Sequence, residues 1–163
     1  MHPARSVPAV APPRARAAVG IEDRLAWRLV VAGRLVRTMA DDMLAGHGIG
    51  GQALAAVLRL AEEDGLTQVE LARRQRVEAP TMCRMVDRLE RMGLVARERR
   101  TDDRRALRVV LTPEGRQVAR RGRDVVEHLE ARAFAALDSA ERAALAALLA
   151  KVLDALAGAE TTA

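Results

Sequence analysis

Apolar residues recur at helical spacing along most of the chain. Ile21, Leu25, Leu29, Ala32, Val36, Met39 and Met43 follow one another at steps of three and four and so form one helix stripe. Trp27, Val31 and Leu35 make a second, offset stripe. A helix apolar on two faces must bury against two things, and the second is expected to be another subunit. Gly46, Gly48, Gly50 and Gly51 end this helix, and His47 reads as a partner of its C-terminal dipole rather than as a ligand. A second helix is expected from about Gln52 to Glu63, around Leu54, Val57, Leu58 and Leu60. Thr67 with Glu70 reads as a capping box that opens a short helix from Gln68 to about Gln75. Pro80 suits the first turn of the next helix, which buries Met82, Val86 and Leu89, runs to Met92 and stops at Gly93. Beyond Gly93 the period falls to two, so residues 94–99 and 106–111 are expected to pair as a hairpin around a polar tip. Thr112 and Pro113 open a helix of about 25 residues with Val118, Val125, Val126, Leu129 and Ala133 on its inner side. Asp138 with Glu141 opens the last helix, whose stripe of Leu145, Leu148, Leu149, Val152, Leu153 and Leu156 is too apolar to face water.

Two helices joined by a tight turn, followed directly by a hairpin, predict a winged helix-turn-helix. The expected fold class is therefore mainly α with a small β-hairpin wing, a winged helix-turn-helix domain plus a helical dimerisation region. The expected boundaries are 51–112 for the winged helix-turn-helix, 19–50 with 113–157 for the dimerisation helices, and 158–163 for a C-terminal tail. Residues 1–18 hold four of the six prolines, three arginines and no acid, and are expected to be a disordered tail. They lack the unbroken apolar centre of a secretory signal, and no apolar run in the chain approaches the roughly 18 residues of a membrane span. A soluble, cytoplasmic protein with no membrane partner is the expectation.

Charge changes this picture by marking one segment. Of the 27 cations 26 are arginine, and the formal net charge is +5. Residues 73–108 carry twelve arginines against six acids, a net of +6, so the rest of the chain sums to −1. A basic block of this kind is the footprint of a phosphate-binding surface, although a solvated charged face would look the same. With Met82, Val86 and Leu89 inward, the opposite face of the arginine-rich helix carries Pro80, Thr81, Arg84, Arg88 and Arg91. Arg84, one to two turns into that helix, is the expected base reader, since a guanidinium can grip a guanine edge with both prongs. Gln68, Arg73 and Arg74 are candidates for phosphate contacts. With Trp27 and Phe134 as its only aromatics, the chain lacks stacking platforms for single strands, so duplex DNA is favoured.

Other chemistry is thin. The single cysteine, Cys83, excludes an intramolecular disulfide, and His2, His47 and His128 have no metal-ligand spacing with it, so no metal and no cofactor are expected. Cys83 follows Met82 on the arginine-rich helix and reads as an inert small side chain. No P-loop, dinucleotide-binding glycine pattern or nucleophile elbow is present, and an enzyme is not expected. The competing class is a winged-helix protein-interaction module that never touches DNA, which the fold alone does not exclude.

The run ELAxxxxVExPTxxRxVDRLExxGLV from Glu70 to Val95, the Asp103-Arg104-Arg105 tip and the LTPEG of Leu111 to Gly115 resemble the MarR family of bacterial transcription regulators. Val77-Glu78-Ala79-Pro80-Thr81 is most similar to its SlyA-like branch. The resemblance implies a homodimer, made by the first and last two helices, that binds an inverted repeat in double-stranded DNA and regulates transcription, for instance as a repressor. It implies that Arg105 enters the minor groove, with Arg104 beside it and Asp103 holding the tip. It also implies a small phenolic or aromatic carboxylate as effector.

Overall fold

The computed structural model describes residues 20–99 and 107–160 of the 163, with side chains to residue 157. The described residues fall into two compact units, divided between Leu35 and Val36. Within the described part of the first, a single helical turn, Ile21–Asp23, precedes the start of helix α1, Leu25–Leu44. Arg28 folds back on that turn, donating to the Glu22 carbonyl at 3.0 Å and to Asp23 Oδ1 at 3.2 Å.

The second unit holds the core. Helix α2, Gly51–Glu62, buries Ala53, Leu54, Ala56, Val57 and Leu60, which recur at one, two and three residues along a single face. It packs on helix α5, Pro113–Ala133, on the short helix α3, Gln68–Gln75, and on a three-stranded sheet. The sheet has the order β1-β3-β2, all antiparallel, with β1 at Leu66–Thr67, β2 at Val95–Arg99 and β3 at Leu107–Leu111. Helix α4, Ala79–Arg91, buries Met82, Val86 and Leu89 completely, and helix α6, Ser139–Glu160, closes the chain. The fold class expected from the sequence is the one observed.

Four details differ from expectation, the first being that Ile21 lies in a separate turn, parted from α1 by the extended Arg24. Strand β1 was not foreseen, because two residues are too few to show alternation. Helix α5 has 21 residues rather than about 25. Its inward face is also different: the buried positions are Gly115, Ala119 and Gly122, four and three residues apart, while Val126 is exposed. Val118 and Val125 flank the core as half-buried neighbours. The reason is close approach. A Cβ on Gly122 would lie 2.4 Å from Leu54 Cδ1, and one on Gly115 would lie 2.0 Å from the Leu94 carbonyl oxygen. Large side chains of α2 and backbone near β2 occupy the space where α5 has none, so small residues, not large ones, mark the packed stripe.

Candidate nucleic-acid interface

Local chemistry sets the two helices that would meet DNA. At the start of α3 the Thr67 hydroxyl accepts from the Glu70 amide at 3.2 Å, and the Glu70 carboxylate accepts from the Thr67 amide at 2.8 Å, so the capping box is complete. Thr67 is at once the last residue of β1 and the cap of α3. The turn after α3 passes through Arg76 in the left-handed region, φ 53°. Helix α4 begins one residue before Pro80, with Glu78 at the cap position. It ends where Gly93 turns left-handed, φ +70°, with the Leu94 amide donating to the Leu89 carbonyl at 3.0 Å and the Gly93 amide to Glu90 at 2.9 Å. That double bond pattern satisfies the last carbonyls and throws the chain directly into β2.

The face of α4 opposite its buried stripe carries Pro80, Arg84, Arg88 and Arg91, all exposed, and Thr81, half-buried. Arg84 Nη2 lies 3.4 Å from the Thr81 hydroxyl, and Arg91 Nε donates to the Asp87 carbonyl at 3.3 Å. Cys83 is exposed, its Sγ 4.0 Å from Asp87 Oδ2. Arg73 is exposed, whereas Arg74 forms an ion pair with Glu63 at the end of α2. Gln68 lies at the first turn of α3 with its side-chain amide against Arg97, where two N–H donors require the amide oxygen: turned that way, it accepts at 2.9 Å from Nε and 2.6 Å from Nη2. Asp103, Arg104 and Arg105 lie outside the described residues.

Sequence reasoning counted Arg97 as one more cation of the basic block. In the structure it is a junction. Rooted on β2 with only 20% of its side chain exposed, it pairs with Asp87 and with Glu90 of α4 and reaches Gln68 of α3. Burial opposes its charge, but the hydrogen bonds and charges of Asp87 and Glu90 outweigh burial and raise its pKa above the ordinary arginine value. The one available sequence signal was the pair of acids three residues apart on a helix otherwise lined with arginine. A cross-strand pair, Arg108 with Glu98 at 2.8 Å, braces β3 against β2.

Several known proteins resemble this arrangement. Residues 52–107 match the model of the MarR family. The HTH-type transcriptional repressor Rv2887 of Mycobacterium tuberculosis is 29% identical over 128 residues, which span 78% of this chain and 92% of that relative. Its solved complex with salicylic acid superposes with a TM-score of 0.63, over 79% of this chain and 96% of that one. A probable transcriptional regulator from Pseudomonas aeruginosa is 29% identical with a TM-score of 0.76, over 82% of this chain and 99% of that one. A cysteine-to-serine mutant of MarR from E. coli, complexed with operator DNA, is 25% identical with a TM-score of 0.74, over 79% of this chain and 93% of that one. The segment from α2 to the start of β3 thus matches the MarR family, and over about four fifths of its length the chain is similar to transcriptional regulators of that type.

Proposed function

We propose that this chain is a transcriptional repressor of the SlyA-like branch that binds an inverted repeat in duplex DNA as a homodimer and responds to a small aromatic carboxylate. The observation that carries the reading is the exposed arginine face of α4. Arg84, Arg88 and Arg91 stand clear on it while the two carboxylates of the same helix are engaged by Arg97. Arg84 is assigned to base edges in the major groove, with Thr81 and Pro80 beside it, and Arg88 and Arg73 to phosphates. Arg105 and Arg104 are assigned to the minor groove, with Asp103 at the tip, on the family resemblance. Arg74 and Gln68 would reach phosphate only by leaving Glu63 and Arg97.

Exposed apolar surface supports the dimer. In the first unit Ile21, Leu25 and Val30 are exposed, and in the second so are Leu148, Leu153 and Leu156 of α6. The proposed domain division keeps 51–112 for DNA and 19–50 with 113–157 for assembly. For the effector, a cavity of about 250 Å³ lies between Leu44, Ile49, Leu54, Val118 and Val125, with His47 and Arg121 at its lining. Apolar walls with cations alongside suit an aromatic ring bearing a carboxylate, the chemistry of the salicylic acid bound by Rv2887. The test is selection of duplexes from a random library followed by footprinting. A protected inverted repeat with half-site centres about one helical turn apart is expected. Failure to retain any duplex at low salt would leave the protein-interaction reading in its place.

A further inference from the structure

A helix that enters a groove between phosphates should not carry bare carboxylates, yet α4 carries Asp87 and Glu90 in its middle and last turns. On an isolated helix Asp87 would pair with Arg84, three residues before it, or with Arg91, four after it. Either pairing would consume a cation of the DNA face. The structure shows neither. Both carboxylates turn to Arg97 of β2, Arg91 bonds the Asp87 main chain, and Arg84 lies beside Thr81.

We infer that Arg97 is a positioning residue for DNA binding: it masks the two carboxylates of the recognition helix and thereby leaves Arg84 and Arg91 free for DNA. Its low exposure fits a residue that acts on its neighbours rather than on the nucleic acid. The raised pKa agrees with a charge held by two acids. The proposal rests on the DNA-binding reading above. It assigns the segment's basic charge unequally, since Arg97, like Arg74 and Arg108 of the same block, is held in internal ion pairs.

Four proteins test it: the native chain, Arg97→Met, the double variant Asp87→Asn with Glu90→Gln, and the triple variant. Each is titrated against a mixed-sequence duplex and a duplex recovered by selection, over a range of salt, with thermal melting as a check on folding. Arg97→Met is expected to weaken binding about tenfold or more, because it exposes like charge to phosphate. The triple variant is expected to recover to within about threefold of native, because the charges that needed masking are gone. The double variant alone is expected to bind at least as tightly as native, and its result stands even where Arg97→Met fails to fold. A triple variant no tighter than Arg97→Met, or a double variant weaker than native, would overturn the proposal while leaving the DNA-binding reading intact. A native chain that binds neither duplex would remove both.

Discussion

Gly115 shows how much one missing methyl group can decide. Alanine is the better helix former by about 1 kcal/mol, so propensity alone predicts that Gly115→Ala stabilises α5. The Cβ would however sit 2.0 Å from the Leu94 carbonyl oxygen, which is backbone and already accepts from the Thr112 amide at 3.1 Å. Overpacking against a fixed group wins. Gly115→Ala is expected to lower stability by about 1–3 kcal/mol in urea denaturation, and an unchanged midpoint would refute the packing account. Arg84 is the residue whose loss should be felt in specificity instead. Arg84→Ala is expected to cost about 1–3 kcal/mol of DNA binding and to relax preference at one position per half-site, as read by competition between operator variants. A uniform loss across all sequences would move Arg84 from the base edges to the phosphates.

Elements whose ends are set by neighbours in sequence were legible before the structure was known. Helix α3 begins where the Thr67–Glu70 box placed it, since every atom of a capping box lies within four residues, and it ends at the expected Gln75. The end of α4 at Gly93 was legible for the same reason. What sequence did not reveal depends on distant partners. Strand β1 exists only because β3 pairs with it, Leu66 opposite Val109 and Thr67 opposite Arg108. The inward face of α5 was misread because large apolar residues were sought where the close approach of α2 demands glycine and alanine. Arg97 was hidden because its partners lie on α4 and α3, ten or more residues away for Asp87 and Gln68. The candidate DNA face itself was legible, being the back of a stripe that periodicity alone defines. Thr67→Ala is expected to cost about 1 kcal/mol through the lost cap, seen as a lowered melting temperature.

For the whole molecule, the exposed leucines of α6 are the surface on which the proposed dimer is tested. Leu148→Asp with Leu156→Asp is expected to shift the chain from dimer to monomer in sedimentation at micromolar concentration, and to weaken DNA binding by removing the second half-site's contribution. A monomeric native chain would take away the basis of the two-site reading. Steep salt dependence should accompany the dimer, since each half-site brings its own arginine–phosphate contacts. Thr67 carries a mechanical consequence. It ends β1 and caps α3 with no spacer between them, so the backbone passes from the sheet into the first helix of the reading unit at one residue. A tilt of β3 is therefore expected to reach α3 through the Thr67–Arg108 pairing. Splicing one glycine between Thr67 and Gln68 would fit a hinge there. Such an insert should leave the wing and helix each folded but let them move separately, and the added backbone freedom would appear as faster amide exchange at Thr67 and Arg108.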